Sequence, residues 1–483
     1  MDRRHLLQMA ACLPLFGTST ACSRAPAERL SDVEVLRLAL SIHPGVYRYA
    51  APDEVERGLT NLEPVLGSDA SLEQQYLQLT AFLATLRCGH TVVNPFNQSE
   101  KVRDLVYRRP TRLPFLFKWL GSEMVVTDAA EEASMTPGTV VLSIDGVPAG
   151  AMLERLVRYV GADGGNDGKR RAALEVQGRA PFETFDILQG LLYPPENGAF
   201  DLRVRGTDGS ERALRAPAIS AEQRLAILPP EPENGEAVWT CDEDRNGIGT
   251  LTMPNWALFN TSWDWRGWLS EKLDRALRLR GMVVDIRGVG GGLSCGDPIL
   301  RRLMDEDIVL DDYRSLVRFQ RSPQALDPYI FAPWNGFKRL GRGAPPIDDG
   351  FYDLSAKGKP RTITPVAPRL TIPTAVLVDA MNSSATFTFA RHIKAHGLAR
   401  LFGSETGGNL KGINAGAVFF VTLPDSGLTI DLPLIGQYPV SPQADRGVLP
   451  DSAVYETAAD IAEGKDVVLA SAKDWILTDG QGG

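Results

Sequence analysis

Two apolar runs, each breaking into small residues where a strand must turn into a helix, fix the kind of fold this chain can adopt. The first is Gly281-Met-Val-Val-Asp-Ile-Arg-Gly288-Val-Gly290-Gly291-Gly292. The second is Thr374-Ala-Val-Leu-Val-Asp-Ala-Met-Asn-Ser383-Ser384-Ala385, after which Thr386 to His396 reads as a helix stopped by Gly397. Strands that are apolar throughout and alternate with helices belong in a mostly parallel sheet covered on both faces. A hydroxyl beside a helix start and a glycine loop rich in free backbone N–H groups suggest a nucleophile and an oxyanion hole.

At 483 residues the chain is too long for one small core, and changes of period divide it. Residues 28–105 read as a helical module, with Leu72, Tyr76, Leu79, Phe82, Leu83 and Leu86 recurring at helical spacing. Residues 110–217 read as a β-module. Strand-like runs cover Leu113 to Trp119, Glu123 to Thr127 and Thr139 to Ile144, and a hairpin turns at Asp208-Gly209. Helices are expected to interrupt this module between about 165 and 193. The proline-rich, charged stretch Leu228 to Gly235 is a linker, and 236–475 forms the third unit. Within that unit 310–365 reads as a long irregular segment.

The first 22 residues read as an export signal. Arg3-Arg4 precedes a modest apolar stretch, Leu6 to Phe16, and Ser19-Thr20-Ala21-Cys22 resembles a lipoprotein cleavage box with Cys22 as the lipidated residue. No other stretch approaches the roughly 18 apolar residues of a membrane span, so attachment would be by lipid alone. This places the protein in the periplasm or cell envelope. A net charge of −9 gives no basic face for nucleic acid. Beyond the export segment only Cys88, Cys241 and Cys295 remain, too few for a disulfide framework, and no Cys/His spacing suits a metal. No metal or organic cofactor is expected.

The two turns together carry a resemblance. Asp285-Ile-Arg287-Gly288-Val-Gly290-Gly291-Gly292 is similar to the glycine-rich strand end of the tail-specific (C-terminal processing) peptidases, family S41. Asn382-Ser-Ser384-Ala385, followed by Gly403-Ser-Glu-Thr406-Gly407-Gly408, is similar to that family's nucleophile block. The likeness runs over most of 240–455. It implies an α/β multidomain protein: a helical N-terminal module, a PDZ-like β-module over 110–217, and a crotonase-like ββα catalytic domain.

The same resemblance assigns roles. Ser384 is the expected nucleophile, with Ser383 as its neighbouring rival, and the amides of Gly290 or Gly291 with Ala385 are expected to hold an oxyanion. Family members with a Ser-Lys dyad carry lysine where Asn409 stands here. Lys411, two residues on, would be displaced by roughly 6–7 Å in an extended segment. Gly89-His90-Thr91 instead resembles the signature of the tricorn-like and retinoid-binding-repeat-like branch, making His90 the expected general base. Glu405 and Asp445 are both candidates for the group that orients the histidine.

The expected activity is exported serine endopeptidase action on extended or unfolded polypeptide. The alternative is a non-catalytic protein binding a peptide or apolar ligand on the same scaffold, with Tyr329-Ile-Phe-Ala-Pro-Trp334 lining its site. A third reading, an esterase or amidase on small acyl substrates, needs the same residues.

Overall fold

The computed structural model describes residues 29–67, 69–178, 181–228 and 232–478. The expected export signal and Cys22 lie outside the described residues. The first helices, Asp32–Leu40, Pro52–Leu66 and Leu72–Thr85, form where the periodicity places them. Ser31 and Ser71 cap the first and third, each paired reciprocally with the side chain three residues on, Glu34 and Gln74. The middle helix buries Val55, Leu59, Leu62 and Leu66 along one face.

The second unit is an antiparallel sheet, its strands in the order Phe115–Leu120, Glu123–Ala129, Val140–Ile144, Ala199–Arg205, Glu211–Pro217. The last two close the expected hairpin, with Gly209 at φ +80°. Helices Asp167–Ala172 and Thr184–Leu192 fill the expected interruption.

The third unit holds two six-stranded sheets and a two-stranded pair, Ile308–Leu310 with Arg361–Ile363. One runs Ser452–Ala453, Arg400–Gly403, Thr374–Val378, Gly281–Asp285, Ile248–Thr252, Thr240–Glu243, parallel except for its final hairpin pair. Helix Val467–Thr478 packs on one face, and helices Trp265–Ala276 and Ser384–Ala395 belong to the opposite core. The other sheet is antiparallel and built on a long hairpin, Asn414–Thr422 with Thr429–Pro439. Here the chain departs from the expected irregularity of 310–365. That segment supplies strands Tyr313–Val317, Ile330–Phe331, Pro346–Ile347 and Phe351–Asp353 to the hairpin sheet. Each is short and borrows its pairing partner from distant sequence, so no local period marks it.

The cores cross the expected boundaries. Leu36, Leu79 and Leu83 of the first helices, Phe117 and Phe185 of the second unit, and Phe419, Ile430 and Leu432 of the long hairpin belong to one buried cluster. The parallel sheet has its own cluster around Trp256, Val284, Val376 and Phe389.

Candidate active site

Strands Gly281–Asp285 and Thr374–Val378 are hydrogen-bonded neighbours, parallel and in register with Leu377 opposite Asp285. Both therefore end at the same edge of the sheet, and their two turns emerge side by side. Buried Asn382 joins them. Its amide donates to the carbonyls of Ile286 (2.5 Å) and Val289 (3.2 Å), and its own carbonyl accepts from the amides of Gly407 and Gly408. Thr386 Oγ1 donates to Val289 O at 2.8 Å, and Gly288 N donates to an Asp379 carboxylate oxygen at 2.8 Å. Three loops distant in sequence are thereby fixed within a few ångströms.

The two serines at the helix start differ in what their hydroxyls do. Ser383 Oγ donates to Gly290 O at 2.9 Å, holding the glycine loop. Ser384, the first residue of helix Ser384–Ala395, has φ +52°, a left-handed conformation rarely adopted by a residue with a β-carbon. Among the described residues its hydroxyl finds no hydrogen-bond partner, and it lines an open cleft of about 810 Å³ with Ala385, Thr388, His392, Asn409 and Gln437. Gly291, at φ +113°, passes so close that a Cβ there would lie 2.6 Å from Ser384 Cβ and 3.1 Å from Ala385 N. The amides of Gly290, Gly291 and Ala385 have no acceptor among the described residues. Charge developing on an oxygen bonded to Ser384 would meet these amides and the start of the helix dipole.

The other expected residues stand around this centre. His90 lies half-buried in the turn after helix Leu72–Thr85, and its ring nitrogen Nδ1 is buried without a partner. No hydrogen bond joins it to Ser384, and it is not among the residues lining the cleft. Its turn is tied toward the cleft in two steps. Gly89 N donates to Asp163 Oδ1 at 3.0 Å, and Asn409, which does line the cleft, donates to Asp163 O at 3.2 Å. Asn409 is fully buried and also donates to Asp445 Oδ1 at 2.6 Å. Lys411 lies outside the cleft, its ammonium 5.1 Å from the Tyr49 ring centre.

Neither expected carboxylate meets the histidine. Glu405 accepts from Gly447 N (2.8 Å) and Arg446 (3.1 Å), shaping the turn that follows the long hairpin. Asp445 accepts from Gly165 N, Asn409 and Tyr49 Oη; partial desolvation works against its charge, but these donors hold its carboxyl below the usual range. Another acid, Asp431 on the long hairpin, is brought beside the His90 turn by pairing with Val92. Burial raises its pKa, against the amides of Asn94 and Asn97 and the nearby imidazole. His392 lines the cleft but makes no bond to Ser384, and burial pushes it down to about 4. Arg287 clamps Asp285 to Asp466 of the region before the last helix (2.6 Å to each) rather than bonding the glycine loop itself.

Two residues missed by sequence reasoning reach the site from the second unit. Asn166 Nδ2 donates to Thr406 O (2.8 Å) and Gly408 O (2.9 Å), and Lys169 Nζ donates to Met381 O at 2.8 Å. Only an Asn capping a lysine-bearing helix was visible in the sequence, which is common in any protein.

Tyr329 to Trp334, the expected lining of an apolar-ligand site, lies outside the cleft. The cysteines Cys88, Cys241 and Cys295 are free thiols. Among the described residues no group of three or more His, Cys, Asp or Glu is placed to hold a metal ion, and no helix is long and apolar enough to cross a membrane.

An apolar parallel sheet that presents an unbonded serine at a helix start against a glycine loop defines a hydrolase of the serine-peptidase class. Residues 247–454 match the family model of peptidase family S41. No curated protein matches the chain. Among solved structures it is similar to mature CPAF complexed with lactacystin (15% identity, 93% of this chain and 98% of that one, TM-score 0.60). Mature CPAF alone gives 16% identity over 94% and 98% at the same TM-score. The photosystem II D1 C-terminal processing protease follows at 15% identity over 88% and 94%, with TM-score 0.41. At these identities the CPAF likeness speaks to the fold.

Proposed function

We propose that the protein is an exported serine endopeptidase that hydrolyses extended or unfolded polypeptide through an acyl-enzyme on Ser384. The observation that carries this reading is the held conformation of Ser384: left-handed backbone, unbonded hydroxyl, open cleft, and Gly291 against its side chain. Such strain persists where the surroundings over-determine it, as at nucleophile turns. Ser383, already donating to Gly290 O, is the supporting residue.

In this mechanism His90 takes the hydroxyl proton as Ser384 Oγ bonds to the scissile carbonyl carbon. The carbonyl electron pair moves onto oxygen, facing the amides of Gly290 or Gly291 and Ala385. Collapse expels the amine, which takes the proton from the imidazolium. Water, deprotonated in turn by His90, repeats the sequence on the ester and frees Ser384. The unpartnered Nδ1 of His90 and the Asp163–Asn409 tether toward the cleft support His90, while the position of Lys411 over Tyr49 disfavours a dyad. Asp431 joins Asp445 and Glu405 as a carboxylate to be tested as the orienting group, being the one whose strand pairs with the segment just after His90. The second unit, read as PDZ-like, would dock the extended substrate, and the chain would be held in the cell envelope by lipid on Cys22.

The test is hydrolysis of an unstructured casein substrate by the protein and its Ser384→Ala, His90→Ala and Lys411→Ala variants, beside fluorophosphonate labelling. Loss of at least about 10⁴-fold with Ser384→Ala and His90→Ala, and retention with Lys411→Ala, is the expected pattern. Survival of activity in His90→Ala with loss in Lys411→Ala would replace the base. A parent that neither cleaves nor labels would leave a binding protein.

A further inference from the structure

Two large aromatic side chains are left in water beside one end of the long hairpin. Phe331 is 60% exposed and Trp334 63% exposed, three residues apart on the edge strand Ile330–Phe331 and the turn that follows it. Phe331 stacks on Phe420 of the hairpin (ring centres 5.9 Å apart), and Trp334 meets Phe337 edge-on at 5.5 Å. A tryptophan and a phenylalanine exposed together have the composition of an interfacial belt.

The charge of the segment that carries them departs from that of the chain. Residues 318–342 contain five basic side chains (Arg318, Arg321, Lys338, Arg339, Arg342) and one acid, Asp327, a local excess of five minus one, or +4, in a protein of net −9. Asp327 is already engaged by Lys338 (2.8 Å) and Arg321 (3.6 Å). Arg339 and Arg342 are exposed and in no ion pair among the described residues.

A third observation is independent of both. The described chain begins at this place. Leu30 N donates to Tyr329 Oη at 3.0 Å, two residues before Phe331, and Arg29 is paired with Asp425 (3.1 Å) at the tip of the same hairpin. Cys22 is seven residues before Arg29 in the sequence, a reach of at most about 25 Å.

We infer that this surface, with Phe331 and Trp334 at its centre and Arg339 and Arg342 beside them, rests on an anionic lipid bilayer. The aromatic rings enter the headgroup region and the guanidinium groups meet lipid phosphate. An aromatic-and-basic surface beside the anchor adds a second, independent contact that orients the protein on the bilayer. The cleft lies toward the other end of the hairpin, around Gly412, Ala415 and Gln437, while Phe331 pairs beside Phe420. The five residues from 415 to 420 span roughly 17 Å along a strand, so the cleft stays clear of the bilayer. The inference deepens the envelope localisation proposed above, though the surface can bind lipid whether or not Cys22 is acylated.

The experiment uses residues 23–483, without the export segment and Cys22 so that neither is present to bind lipid, sedimented with vesicles of phosphatidylethanolamine and phosphatidylglycerol (3:1) or of phosphatidylcholine. Expected is binding to the anionic vesicles that falls about ten-fold in Phe331→Ser/Trp334→Ser and in Arg339→Glu/Arg342→Glu, with casein hydrolysis unchanged in both as the control for folding. Brominated lipid should quench tryptophan emission in the parent and not in Trp334→Phe. Equal binding by parent and variants, or equal binding to phosphatidylcholine, overturns the inference. Sedimentation without vesicles that the same substitutions abolish overturns it in favour of a contact between two copies of this chain. Labelling of the natural chain with radioactive palmitate tests the anchor separately, so its failure is distinguishable from failure of the surface.

Discussion

Ser384 combines a β-carbon with a left-handed backbone, which costs on the order of 1–2 kcal/mol relative to glycine. Ser384→Gly should therefore be more stable than Ser384→Ala by about 1 kcal/mol in urea denaturation, although both abolish hydrolysis. Equal stabilities would mean the turn is not strained. Two buried histidines work against the fold in acid. His43 accepts from Gly45 N at Nδ1 and so carries its proton on Nε2, facing Thr91 Oγ1; burial pushes it down to about 3, and His392 to about 4. Well above pH 6.5 both imidazoles are neutral whether folded or unfolded, and they contribute no pH dependence. From about 6.5 down to 4 only the unfolded chain takes up the protons. Stability should then fall by up to about 1.4 kcal/mol per pH unit for each histidine. Urea midpoints measured from pH 8 to 4.5 should fall below 6.5, and the fall should lessen in His392→Gln; a flat profile contradicts this. The sequence displayed Ser384 and the glycines because a helix start and a glycine loop leave local signals. It could not display Asp431 beside the His90 turn, since more than 300 residues separate them and only tertiary contacts, the pairing of Val92 and the amides of Asn94 and Asn97 with Asp431, bring them near.

At the scale of the element, the glycine loop is selective about which glycine matters. Gly291 has both a positive φ and no room for a β-carbon, whereas Gly290 has only the Lys169 ammonium and Ser383 Oγ near it, each 3.9 Å from where a β-carbon would sit. Gly291→Ala should lower kcat by about 10²-fold or more through displacement of Ser384 and its facing amides, while Gly290→Ala should be far milder. Steady-state hydrolysis by the two variants checks it, and equal losses would make the loop's role one of flexibility instead. Strands Gly281–Asp285 and Thr374–Val378 were legible because they are apolar almost from end to end. The long hairpin was not, although it shapes the cleft. Its strands alternate and include a bulge between Ala415 and Val418, and its edges are completed by pieces of 310–365 too short to carry a period.

At the scale of the whole molecule, the first helices, the interrupted sheet and the hairpin share one core, so the units read from the sequence are joined more closely than their linkers suggest. Asn166 and Lys169 are positioning residues of that joint. Asn166→Ala leaves Thr406 O and Gly408 O without a donor, and Lys169→Met removes the ammonium from Met381 O. Each should lower kcat roughly ten-fold, with a parallel fall in the rate of fluorophosphonate labelling of Ser384 and little change in KM. A change confined to KM would place both in substrate docking. The match to the peptidase family covers residues 247–454, yet these two donors lie some eighty residues before it. Transplanting the matched stretch alone into another scaffold would carry the serine and its glycines but strip the carbonyls around them of their outside bonds. What descends as one recognisable block and what must be kept together for the chemistry to run are, in this protein, different lengths of chain.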